Sequence, residues 1–186
     1  MLNSSERSLN SNLLNEVQIS VQKESGTKRQ ITVQIAIPYP IEQVWQLITN
    51  YDKLAEFIPN LIHCHQINQT ETSKQVEFIG QCQILHVQLS IRLILNVIES
   101  HPYSIKTQMI EGDLRSYQAH WHLAQNQDGT TVLSYQAEII PKLGMPIALL
   151  ERQIQQLLPI NFLAIRQQLD HSHSSKLLVA KSHDHF

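Results

Sequence analysis

The sequence predicts an α+β domain in which a curved antiparallel sheet wraps around one long C-terminal helix. Three observations predict it. Residues 85 to 97 are apolar at every odd position: Leu85, Val87, Leu89, Ile91, Leu93, Leu95 and Val97. Strict alternation over that length makes a β-strand with one dry face. Further short alternating runs lie on both sides of it, joined by turn signals, which is the pattern of antiparallel neighbours. The last periodic segment carries Ile147, Leu150, Ile154, Leu157, Leu158, Phe162, Ile165 and Leu169 on one stripe, as a long amphipathic helix does. A sheet of this size needs its apolar face covered, and this helix is the only large cover in the chain.

Each element can be justified in order. Residues 1–15 are rich in Ser and Asn and read as a disordered N-terminus. Val17, Ile19 and Val21, the turn "KESGTK", then Ile31, Val33, Ile35 and Ile37 make a hairpin. The pattern changes at Pro38, after which Ile41, Val44, Trp45 and Ile48 fall at helical spacing, and Pro40 is tolerated in a helix's first turn. "NYDKLAEFIPN" reads as a second short helix, begun near Asn50 and stopped by Pro59. Strands follow near 61–69, 74–80, 84–98, 103–110, 114–125 and 130–140, with Gly112 and Asp128-Gly129 at two of the turns. The long helix is expected over 145–169, kinked at Pro159, which has no N–H to bond residue 155. One folded domain is thus expected over 16–170, and 171–186 reads as a flexible His-rich tail.

Composition narrows the function. The 186 residues are 42% hydrophobic and 16% charged with a formal net charge of −2, which suits one globular domain. The 14 Lys and Arg are scattered, so no electrostatic footprint for nucleic acid emerges. Cys64 and Cys82 are too few for a disulfide framework and fit a reducing compartment. The chain opens with no secretory signal, and no window reaches the roughly 18 uninterrupted apolar residues of a membrane span. A soluble, cytoplasmic protein with at most peripheral membrane contact is expected.

Motifs of chemistry are sparse. No Ser-His-Asp, Cys-His or phosphate-loop pattern is present, and nothing calls for a cofactor. His63 with His65, and His120 with His122, have the i, i+2 spacing of zinc ligands. Solvent-facing histidines satisfy the same spacing, so no metal site is assigned. His171, His173, His183 and His185 receive no function. Arg92 is expected to pair with a neighbour such as Glu77, and Asp113, after Gly112, to form a turn.

"IPYPIEQVWQLITNYDKLAEFIPNL" resembles the opening segment of the polyketide cyclase/dehydrase and coenzyme-Q-binding branch of the START-like (helix-grip, SRPBCC) superfamily. The matching residues are Pro38, Pro40, Val44, Trp45, Tyr51 and Phe57 to Leu61. "EGDLRSYQAHWHL" is similar to the branch's second signature at Gly112, Asp113, Tyr117, Trp121 and Leu123, and "PKLGMP" and "NFLAIRQQ" to its closing segments. The added N-terminal hairpin looks most like members from cyanobacteria and plastids. Asn50, Leu114 and Ala119 stand where Asp, an aromatic and Gly are common, changes of packing more than of chemistry.

The resemblance implies the helix-grip fold, a strand order that keeps the two histidine pairs apart, and Trp121 facing inward. With that register the inward set holds Val76, Phe78, Leu85, Val87, Leu89, Ile91, Leu93, Leu95, Val97, Tyr103, Ile105, Thr107, Met109, Tyr117, Ala119, Trp121, Leu133, Tyr135 and Ala137. Ile154, Leu158 and Phe162 of the helix stripe face it. The set has no carboxylate, histidine or lysine. A close-packed core would satisfy the same alternation. Helix-grip domains keep a gap between sheet and helix, so the resemblance implies a cavity for a hydrophobic small molecule. Three functions compete. The first is a non-enzymatic binder or carrier of a quinone, isoprenoid, pigment or lipid. The second is a polyketide cyclase or aromatase, which needs a general acid or base within reach, and for that the inward set offers only tyrosine hydroxyls. The third is a protein-binding module like the superfamily's ribosome-associated toxins.

Overall fold

A computed structural model describes residues 16–84 and 87–183. The expected disorder of residues 1–15 and the inward placement of Leu85 lie outside the described residues. The alternation of the sequence becomes eight strands: β1 (Gln18–Lys23), β2 (Arg29–Ile37), β3 (Leu61–Gln69), β4 (Lys74–Ile84), β5 (Val87–Ser100), β6 (Ser104–Gly112), β7 (Ser116–Gln125) and β8 (Thr131–Ile140). All pair antiparallel in one sheet of order β1-β2-β8-β7-β6-β5-β4-β3. The sheet is curved and unclosed, with β1 and β3 as its edges. Two short helices, α1 (Ile41–Ile48) and α2 (Tyr51–Leu54), join β2 to the far edge strand β3. α1 buries Ile41, Val44, Trp45 and Ile48, the residues at helical spacing. The helix-grip architecture read from the sequence is the one observed.

Two strands run further than the alternation suggests. β4 passes through Gly80 to Ile84. The strand continues past Gly80, beside which Asn60 O accepts the Gln81 N–H at 2.9 Å. β6 reaches Gly112 because its pairing with β5 slips: Ile94 opposes Glu111 while Leu95 opposes Met109. Ile110 is the extra residue of this bulge and stands exposed, and such a bulge bends and twists the strand. The corner beyond it closes onto β5. Asp113 N–H donates to Arg92 O at 2.9 Å, and its carboxylate accepts the Arg92 N–H at 2.7 Å.

The last helix, α3 (Ile147–His183), spans 37 residues and runs on past the expected end at 169. Its sequence after Pro159 contains no Gly or Pro, so nothing stops a helix already nucleated and packed upstream. Pro159 is buried inside it and the helix continues through. Phe162, Leu163, Ala164, Ile165 and Leu169 are buried, whereas the apolar residues of the first three turns are only half-buried. Polar ties hold it at several points: buried Arg29 pairs with Glu151, Arg166 pairs with Glu16, and Tyr39 Oη donates to Asp170 Oδ1 at 2.7 Å. Among the described residues no helix is long and apolar enough to cross a membrane.

Gly112 has the tightest surroundings of the five glycines. A Cβ there would lie 2.6 Å from Arg92 O and 2.9 Å from Leu93 Cδ2. Gly112→Ala should therefore force the β5–β6 corner apart and lower stability by about 1–3 kcal/mol. A denaturant midpoint equal to the parent's would contradict this reading of the corner.

Candidate functional site

Thr107, Ala119 and Ala137 are register partners across β6, β7 and β8, and of the three Thr107 alone borders the space between sheet and helix. That space forms two abutting chambers. The first, about 290 Å³, lies among Leu93, Leu95, Ile105, Tyr117 and Trp121 of the sheet, Ile48, Tyr51, Leu54 and Ile58 of the α1–α2 segment, and Leu158, Phe162 and Ile165 of α3. The second, about 370 Å³, lies between Leu89, Ser90 and Ile91 and the helix start at Met145, Leu149, Leu150, Ile154 and Leu157. Asn60, Gly80, Ile91, Tyr135, Leu158 and Asn161 border both. Apolar clefts of this size are typical of small-molecule sites.

Few polar groups reach these walls. Tyr117 Oη and Tyr135 Oη share a hydrogen bond of 3.1 Å, and Thr107 Oγ1 donates to Ala119 O at 3.4 Å. Tyr51 Oη donates to Glu99 Oε1 at 2.7 Å, and Lys74 Nζ holds the same carboxylate at 2.8 and 2.9 Å. No Lys, Arg or His borders either chamber, and the one bordering carboxylate is Asp113, already bonded to the Arg92 N–H. Burial pushes the phenols of Tyr51, Tyr117 and Tyr135 above their ordinary range, and the bond to Glu99 adds to the rise at Tyr51. They stay protonated as neutral hydrogen-bonding groups. Burial also pushes the Cys64 thiol up to about 12, which leaves it a poor nucleophile near neutral pH.

The sequence model for "polyketide cyclase / dehydrase and lipid transport" matches residues 37–163. The chain belongs to that family. Solved structures agree on the fold. A STAR-related lipid transfer protein from Xanthomonas axonopodis superposes with a TM-score of 0.69 at 11% identity, covering 83% of this chain and 94% of that one. The Zhui aromatase/cyclase from a Streptomyces species gives 0.67 at 10% identity, covering 77% and 94%. Human STARD10 gives 0.64 at 12% identity, covering 97% and 85%. No curated protein sequence matches the chain.

Family membership places the sequence-derived residues in context. Ile91, Leu93, Leu95, Ile105, Tyr117, Trp121, Tyr135, Leu158 and Phe162 border the first chamber. Leu89 and Ile154 border the second, Leu89 with its outer part exposed. Two residues stand outside both chambers. Tyr103 is 60% exposed because the chain turns after Ser100, where Tyr103 N–H donates to Ser100 O, and β6 begins only at Ser104. Met109 packs against the core beside the β6 bulge. Most of the residues that the inward list lacks come from the α1–α2 segment, the entrance to β3 and α3, namely Ile48, Tyr51, Leu54, Ile58, Asn60, Leu61 and Asn161, while Gly80 lies within β4. Asn161 had a signal, since it lies seven residues after Ile154 and interrupts the apolar stripe.

The remaining candidates resolve into surface contacts. His63 Nε2 lies 3.3 Å from Glu77 Oε2, and His65 Nδ1 lies 2.6 Å from Asp52 Oδ1. His120 and His122 are on β7, separated from β3 by β6, β5 and β4. Among the described residues no three His, Cys, Asp or Glu side chains gather as a metal site. Arg92 Nε donates to Glu77 Oε1 at 2.6 Å and its Nη1 to Glu111 Oε1 at 2.8 Å, a surface network of small energetic weight.

The buried phenols predict an alkaline instability. Above pH 10 the unfolded chain gives up tyrosine protons that the folded chain keeps, so stability falls as pH rises. In a spectrophotometric titration the tyrosinate signal of Tyr51, Tyr117 and Tyr135 should appear together with loss of near-UV circular dichroism. Full ionisation of all five tyrosines with native dichroism intact would contradict the placement of these side chains.

Proposed function

We propose that the chain binds and carries a lipophilic small molecule, of the quinone, isoprenoid, pigment or lipid class, in the cavity between sheet and α3, without turning it over. The observation that carries this reading is the pair of chambers whose walls are apolar, with a few neutral polar groups and one occupied carboxylate. Family membership and a structural neighbour named as a lipid transfer protein support it.

A second reading is favoured by another neighbour, named as an aromatase/cyclase. Cyclisation and aromatisation need a group that takes or gives a proton at the substrate. The bordering phenols are held neutral by burial, and Asp113 is engaged with the β5 backbone. The carrier reading is therefore preferred. Under it, no single Glu or His is essential.

Leu93 separates a functional cavity from a badly filled core. It borders the first chamber opposite α3. Leu93→Trp should occupy the empty volume, abolish uptake of a neutral fluorescent lipophile such as Nile red, and leave the melting temperature nearly unchanged. In a solid core the same change would overpack and cost about 1–3 kcal/mol. Loss of stability of that size, with no dye uptake by the parent chain, would sink the proposal.

A further inference from the structure

The wall shared by the two chambers carries two carboxamides among its apolar residues. Asn60, at the entrance to β3, and Asn161, on α3, both border each chamber. They meet there, Asn60 Nδ2 donating to Asn161 Oδ1 at 3.4 Å, which is long for such a bond. Each residue is positioned by something other than this bond. The Asn60 carbonyl accepts the Gln81 N–H at 2.9 Å, and Asn161 precedes Phe162, whose ring stacks on Trp121 with centroids 5.2 Å apart.

A carboxamide offers two N–H donors and a carbonyl, so one weak bond leaves a donor and an acceptor of the pair uncommitted. Among the described residues no buried side-chain nitrogen or oxygen lacks a partner. The uncommitted amide atoms are therefore not sealed in the core, and both residues border the cavity. Asn161 also occupies the apolar stripe between Leu158 and Ile165. A polar group there is disfavoured unless it finds a partner. Charge points the same way: no cation borders either chamber, and Asp113 borders the second.

We infer that Asn60 and Asn161 form a polar waist that selects an uncharged, two-lobed lipophile, with a carbonyl or hydroxyl oxygen at the waist and one apolar lobe in each chamber. This inference rests on the ligand-binding reading above. It excludes free fatty acids and other anionic lipids as preferred ligands. It also assigns Asn161 a role in ligand choice in addition to its place in the fold.

The test is displacement of Nile red from the full chain by three eleven-carbon competitors: 6-undecanone, undecane and undecanoate. In the parent, 6-undecanone should displace the dye at least tenfold more effectively than undecanoate. Asn161→Leu should weaken 6-undecanone about five- to tenfold, the share of one hydrogen bond, and leave undecane unchanged or tighter. Asn161→Ala is a second variant, with both checked by thermal melting. The waist is overturned if undecanoate competes as well as the ketone. It is also overturned if a folded Asn161 variant shifts ketone and alkane together, or shifts neither. Dye uptake by the parent with either of those results removes the waist alone. No dye uptake by the parent removes the binding reading and the waist with it.

Discussion

The structure depends on where α3 touches the sheet. Phe162 lies nearly parallel to Trp121, at 9° and 5.2 Å, and against Tyr135 at 5.9 Å, while Trp121 and Tyr135 meet at 4.6 Å. Such aromatic packing combines large buried area with a preferred geometry. It fixes the depth of the helix at one point along its length. C-terminal to that point, Leu163 and Leu169 are buried, and Ile165 is buried while bordering the first chamber. N-terminal to it the apolar residues of the helix's first turns are only half-buried, and the second chamber lies between them and the sheet. The empty space forfeits dispersion contacts that a filled one would make. The Arg29–Glu151 pair ties this part of the helix to β2.

Sheet curvature provides the other half of the gap. The β6 bulge and the register shifts along β3 add bend and twist to their side of the sheet. The Gly112–Asp113 corner holds the bend through its two bonds to the Arg92 backbone. α1 and α2 border the first chamber, with Tyr51 donating to Glu99, whose carboxylate Lys74 also holds. Neither chamber is bordered by Lys, Arg or His: Arg92 meets Glu77 and Glu111 on the surface, and Arg29, on the buried face of β2, is paired with Glu151.

Much of this was legible in the sequence because its signals are periodic. Odd positions of β5 and the stripe of α3 specify which faces are dry, and the Arg92–Glu77 pair follows from two strands in register. What escaped has no period. Tyr103 continues the parity of the inward residues, yet a turn places it outside the sheet. The bulge at Ile110 shifts parity by one residue without any mark in composition. Gly80 reads as a break although the strand passes through it. The Asn60–Asn161 contact joins residues 101 apart in sequence, so only the fold could bring the two amides together.

The central claim is that the space between sheet and helix is a binding site. Methyl-resolved NMR of the full chain, titrated with a neutral lipophile such as Nile red, tests it most directly. The account predicts saturable shifts at Ile91, Leu93, Leu95, Ile105 and Leu158, all bordering the first chamber. Shifts confined to exposed Ile62, Ile98 and Ile110, with the interior methyls unmoved, would contradict it.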